Sequence, residues 1–361
     1  MPPTKIMNCR FLVVSTALLA SSLANSGLRA QSRAALNVDL KQPKAAVSPM
    51  LYGLMTEEIN YSYDGGLYAE LVHNRTFRSD WSGILNWFLV EKGSASAKVS
   101  VDSGSGPSAA LTASAKLEVT KADANSRAGL LNEGYWGFAV RPNTRYAGSL
   151  YAKSDSPAPL PLRIALIADQ SGQVLASASV PVAGAEWKPY KFELRSGQVA
   201  ASAENHLELT IDRPATLWLQ LVSLFPPAYH DRSNGNRTDI MEKLAAMRPT
   251  FLRFPGGNYV EGNNMASHFD WKKTIGPLVD RPTHPSPWSY HSTDGMGLLE
   301  FLEWCEDLRM QPVMAVFAGY TLDGRVVKPG PDLEPYVQEA LEEIEYATGG
   351  PNTKWGALRV Q

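Results

Sequence analysis

The sequence predicts an α/β protein interrupted by an all-β domain. Three observations carry this expectation. Residues 84–227 hold short alternating apolar and polar runs separated by Gly, Ser, Pro and Asn, with no helical period. Beyond them, helical and strand patterns alternate with short links. Val313–Phe317 is a near-continuous apolar run, as expected of a parallel strand covered on both faces.

Taken in order, residues 1–30 read as a secretory signal. Lys5 and Arg10 precede an apolar stretch from Phe11 to Ala24, with small-residue exits at Ala24 and Ala30. The mature chain is therefore expected to be exported, extracellular or periplasmic. Within 31–83, residues 47–58 read as a strand running into the carboxylates Glu57 and Glu58, and Leu67–Asn74 as a short helix after Gly65-Gly66. Residues 84–227 read as a β-sandwich, with strands such as Lys116–Thr120, Tyr146–Ala152, Leu162–Ala168, Tyr190–Leu194 and Leu207–Ile211, closed by Pro226-Pro227.

Residues 228–361 turn to α/β. A helix is expected over Asp239–Met247, with Asp239 and Glu242 as a capping box and Ile240, Leu244 and Met247 on one face. Arg248-Pro249 ends it before a strand at Phe251–Phe254. A second helix over 294–309 buries Leu298, Phe301, Leu302, Cys305 and Leu308. A third over 333–347 carries Val337, Leu341 and Ile344 and stops at Gly349-Gly350-Pro351. This alternation suits a (β/α) barrel or a doubly wound sheet, and about three strands fall short of the eight a barrel needs to close.

With 44% hydrophobic and 19% charged residues, the chain can bury sizeable cores. A formal charge of −2 supplies no attraction to nucleic acid or an anionic membrane, whereas a neutral polysaccharide is indifferent to it. Nine Trp and fourteen Tyr suit stacking on sugar rings and suit an ordinary core equally. Cys9 falls in the signal, which leaves Cys305 without an intramolecular disulfide partner and, on an apolar helix stripe, a buried thiol. Six scattered histidines show no metal-site spacing, so no metal or cofactor is expected. Three sequons, Asn60-Tyr61-Ser62, Asn74-Arg75-Thr76 and Asn236-Arg237-Thr238, matter in a eukaryotic secretory pathway. Self-association is left open.

Two motifs can carry chemistry. Arg253-Phe254-Pro255-Gly256-Gly257-Asn258 puts an arginine in a strand and a glycine turn at its C-terminal end, where barrels keep their sites. The glycines let backbone approach a ligand, and Asn258 offers both donor and acceptor to hydroxyls. A plain turn with a structural arginine fits the same residues. At Thr56-Glu57-Glu58-Ile59-Asn60, alternation turns one glutamate inward, where Arg253 is a natural partner, and a solvated Glu-Glu loop fits the same residues. Glycoside cleavage ordinarily uses two carboxyl groups. Glu57, Glu261, Asp294 and Glu300 are candidates by type, and spacing singles out none of them.

The stretches GLMTEEINYSYDGGLYAELVHNRTF, FLRFPGGNYVEGN, WKKTIGPLVDRP, DGMGLLEFLEWCEDL and PVMAVFAGY, in this order, resemble glycoside hydrolase family 51, the α-L-arabinofuranosidases. The resemblance implies an incomplete (β/α)8 TIM-type barrel with an inserted jelly-roll, carbohydrate-binding-like sandwich, truncated before the fourth barrel strand. It implies a retaining exo-hydrolase that releases terminal arabinofuranose from hemicellulose or pectin. Glu57, Arg253 and Asn258 match the family's substrate-binding residues, and Trp271 resembles an aromatic wall of that pocket. The family's acid/base lies in a Gly-Asn-Glu motif, absent from residues 1–361, and its nucleophile lies further on. Both catalytic carboxylates are therefore expected beyond Gln361, and this stretch by itself is expected to be inactive. A non-catalytic sugar-binding protein, or another retaining glycosidase on the same barrel, is the alternative.

Overall fold

The computed structural model describes residues 35–41, 45–78 and 83–360. The chain divides into two compact units, Met1–Ser48 and Pro49–Gln361. The signal segment expected at 1–30 lies outside the described residues, and the described part of the first unit carries no helix or strand.

The second unit opens with strand β1 (Leu54–Met55). Ten strands follow: β2 (Trp87–Lys92), β3 (Ser96–Asp102), β4 (Ser114–Lys121), β5 (Arg127–Asn132), β6 (Arg145–Ser154), β7 (Leu160–Ala168), β8 (Val174–Val182), β9 (Lys188–Arg195), β10 (Asn205–Ile211) and β11 (Ala215–Phe225). Then come helix α1 (Thr238–Ala246), β12 (Phe251–Phe254), the short α2 (Asn258–Glu261), and the hairpin pair β13 (His284–Pro285) and β14 (His291–Ser292). Helix α3 (Leu298–Leu308), β15 (Gln311–Met314), α4 (Glu334–Thr348) and α5 (Lys354–Arg359) complete it.

Strands β2 to β11 form two five-stranded sheets, ordered β2-β5-β10-β7-β8 and β3-β4-β11-β6-β9. The ladders are antiparallel, and alternate residues point into one shared core. Leu130, Ile164 and Leu209 from one sheet meet Leu117, Leu150 and Leu219 from the other, all buried. The alternating texture of the sequence follows directly from that half-buried geometry.

Strands β1, β12 and β15 make a parallel sheet, in the order β1-β12-β15. Its register pairs Met55 with Arg253 and Arg253 with Val313. On one face Leu252 and Phe254 are buried with Met241 of α1 and Phe301 and Cys305 of α3. Phe254 and Phe301 stack with centroids 5.0 Å apart, a geometry that adds about 1 kcal/mol beyond area burial. On the other face Met55, 66% exposed, Arg253 and Val313 are uncovered by any described element.

Several expectations need correction. Leu67–Asn74 is not helical. Its backbone is bonded across space instead, Ala69 N donating to Gly235 O at 3.1 Å and Leu71 N to Leu224 O at 3.0 Å. Buried Glu70 accepts from Val72 N, Leu224 N and Arg75 Nη1, so tertiary bonds win over local periodicity. The capping box at Asp239 is absent, because that carboxylate is held by Arg237 and the N-cap side chain makes no bond. The run at 313–317 is not covered on both faces, since Val313 and Val316 are exposed. Helix α4 turns Val337, Leu341 and Ile344 outward and buries Glu343 and Tyr346.

Candidate functional site

The C-terminal ends of β1 and β12 lie side by side, tied by Thr56 N donating to Arg253 O at 2.9 Å. Beyond β12 the chain turns at Pro255-Gly256-Gly257 into α2. Gly256 has φ +135°, and a Cβ there would sit 2.4 Å from Glu57 Cγ. Only glycine lets the turn close over the glutamate. Glu57 Oε1 accepts the Tyr259 amide at 2.9 Å, a bond that fixes the carboxylate against the start of α2. A Cβ on Gly257 would meet nothing within 4 Å, so this side of the turn is open.

Arg253 is half-buried on the uncovered sheet face, and among the described residues its guanidinium has no hydrogen-bond or ion-pair partner. The expected Glu57–Arg253 ion pair is not formed among the described residues. The register explains this: Met55, not Glu57, lies opposite Arg253, and Glu57 sits two residues further along, over the turn. Asn258 is exposed at the first position of α2. Glu57, Arg253 and Asn258 are thus brought to one edge of the sheet.

Trp271 is not. It is 1% exposed, donates its indole N–H to Glu339 O of α4 at 3.2 Å, and packs on Tyr346 and Trp355. This tryptophan fills the core under α4 and lines no open surface.

Alternation along β1 sends Glu58 the other way from Glu57. It is fully buried, accepting Tyr63 N at 2.7 Å and Tyr290 OH at 2.7 Å. Burial first, and nearby Asp64 second, push its pKa up to about 8. Tyr290 also accepts Tyr61 N at 3.0 Å and stacks on Tyr61 at 4.1 Å. Together these contacts fix the loop behind Glu57. Sequence reasoning missed Tyr290, which lies 232 residues from Glu58, and no local pattern could have found it.

Two of the other carboxylates considered, Glu300 and Asp294, are structural. Glu300 is bidentate with buried Arg281 at 3.1 and 2.9 Å, and Asp294 faces His284 at 2.8 Å. Cys305 is buried, which pushes its thiol up to about 12 and makes it a poor nucleophile. No group of His, Cys, Asp and Glu able to hold a metal occurs among the described residues.

The site therefore offers a cation, a carboxylate and an amide on an open strand-end shelf. Such an arrangement can grip hydroxyls.

The family model for the alpha-L-arabinofuranosidase 1 domain matches residues 243–361. The chain is 35% identical to alpha-L-arabinofuranosidase A of Aspergillus kawachii, over 86% of this chain and 50% of that protein. It is 32% identical to alpha-L-arabinofuranosidase 1 of Arabidopsis thaliana, over 86% and 46%. An arabinose-bound family 51 α-L-arabinofuranosidase structure superimposes with a TM-score of 0.82 at 38% identity, covering 89% of this chain and 52% of that one. The chain spans about half the length of the curated relatives it matches. In sequence and in fold alike, it resembles the α-L-arabinofuranosidases of glycoside hydrolase family 51 over the half of their length that it spans.

Proposed function

We propose that this chain supplies the sugar-gripping half of a retaining, exo-acting α-L-arabinofuranosidase. Its substrates are arabinose-bearing hemicellulose or pectin side chains, encountered after export. The observation that carries the reading is Arg253, a guanidinium without a partner among the described residues, beside a glutamate pinned by Tyr259 and an exposed asparagine. Arg253 and Asn258 donate to furanose hydroxyls while Glu57 accepts from them, positioning the ring for attack. The parallel strands β1, β12 and β15 are part of a (β/α)8 barrel, with β2 to β11 inserted as a sandwich. Cleavage needs an acid/base and a nucleophile, and this shelf supplies neither. Both carboxylates come from the part of the relatives that this chain does not match.

Two measurements test the reading. Calorimetric titration with L-arabinose is expected to show binding that Arg253→Ala removes; equal binding by the variant would refute it. Release of nitrophenol from nitrophenyl α-L-arabinofuranoside by residues 1–361 is expected to stay at background, and clear turnover would overturn the division of labour.

A further inference from the structure

Between the two-sheet region and the α/β part lies a cavity of about 450 Å³ to which nothing above assigns a role. One wall is the turn after β5, where Tyr135 and Trp136 project. Arg141 and Thr144, from the approach to β6, and Arg237 and Asp239, from the start of α1, form the polar edge.

Trp136 is 65% exposed, yet it is held firmly. The buried Asn132 side chain clamps the base of its turn, accepting Gly134 N at 3.0 Å and His73 N at 3.1 Å and donating to His73 O and Asn86 O. Tyr135 stacks on His73 at 4.1 Å, and Tyr61 and Trp136 meet at right angles with centroids 5.9 Å apart. A large aromatic face presented to water on a fixed turn binds a partner at little entropic cost. Its negative π face suits the C–H face of a sugar ring.

The polar edge is built for hydroxyls. Arg237 forks onto Asp239 at 3.1 and 2.6 Å, and the Arg141 guanidinium lies 4.0 Å from the same carboxylate. Asp239 keeps lone pairs to accept from a hydroxyl, and Arg141 keeps N–H groups to donate. Two guanidiniums share one carboxylate and Arg141 is solvent-screened, so the edge is a donor–acceptor set rather than a strong ion trap. From Trp136 the aromatic row continues through Tyr61 to Tyr290, whose hydroxyl rests on Glu58 behind the strand-end shelf.

We propose that this cavity is a second saccharide site, in which one ring of a neutral pentose-based oligosaccharide stacks on Trp136 while Arg141 and Asp239 hold its hydroxyls. The pentose class rests on the function proposed above; the site itself rests on the cavity. It grips the polymer backbone at a distance from the arabinose on the shelf.

The test titrates the full chain with xylohexaose and, separately, with L-arabinose. Trp136→Ala and Arg141→Ala alter exposed side chains, and an unchanged melting temperature shows that both variants fold. Xylohexaose affinity is expected to fall at least tenfold in Trp136→Ala and several-fold in Arg141→Ala, and to be unaffected by Arg253→Ala. Absence of xylohexaose binding by the parent chain would overturn the proposal. So would parental affinity in Trp136→Ala, or loss of xylohexaose binding in Arg253→Ala. Arabinose binding and its sensitivity to Arg253→Ala report on the strand-end shelf alone, so each reading can fail without the other.

Discussion

At the scale of single residues, Gly256 is the most constrained position of the candidate site. Its φ of +135° and its contact with Glu57 leave no room for a side chain. Gly256→Ala is expected to cost roughly 1–3 kcal/mol of stability, read by urea denaturation, and to abolish arabinose binding in the fraction that folds. Gly257→Ala, facing open space with an ordinary backbone, is expected to leave stability nearly unchanged. The three sequons separate in the same way. Asn74 is buried with its amide on Gly83 O and Leu85 O, Asn236 is buried against Met241, and Asn60 is exposed on a loop. Produced in a eukaryotic secretory host, the folded chain is expected to carry a glycan at Asn60 alone. Peptide mass mapping with and without glycosidase checks this, and occupancy of Asn74 would contradict the packing described.

At the scale of elements, α4 is the unusual one. It buries Glu343, whose Oε1 lacks a partner, and the apolar surroundings push the carboxyl up to about 8. Neighbouring Glu339 is raised to about 7 by burial, with Asp270 adding to it. A pKa raised on folding means that the folded helix holds the proton more tightly than the unfolded chain. The associated stability is fully present below the ordinary value of 4.5 and is lost as pH climbs to about 8. Melting temperature is therefore expected to fall between pH 5 and pH 8. Glu343→Leu, which removes the buried carboxyl, is expected to raise melting clearly at pH 8 and little at pH 5; an equal shift at both would assign the gain to packing instead.

At the scale of the second unit, one side is finished and another is open. The sheets of β2 to β11 close over a shared core, whereas β1-β12-β15 leaves a face bearing Met55 and Val313 to solvent, and α4 adds Val337, Leu341 and Ile344. Exposed apolar side chains of this kind can take up an apolar dye. The dye anilinonaphthalene sulfonate is expected to fluoresce with this chain. Leu341→Glu with Ile344→Lys is expected to dim it while moving stability by no more than about 0.5 kcal/mol, as for surface sites. A large loss of stability would show instead that the stripe is already packed.

The sequence by itself determined the local order of this protein. Alternation laid out strands such as Lys116–Thr120 and Tyr146–Ala152, where side chains are buried and less buried in turn, a choice visible in the residue alone. The Arg-Phe-Pro-Gly-Gly-Asn turn and the Glu-Glu pair were legible because strand ends and glycine turns are set within a few residues. Only the tertiary structure decided which partners those residues found. It drew Leu67–Asn74 out of a helix, since Gly235 and Leu224 offered its backbone better bonds across space. It sent Trp271 into the core beneath Glu339 and faced Glu58 with Tyr290. Among the described residues it left Arg253 unpaired beside Glu57, because register across two parallel strands is set by packing on α1 and α3 rather than by either strand's own sequence.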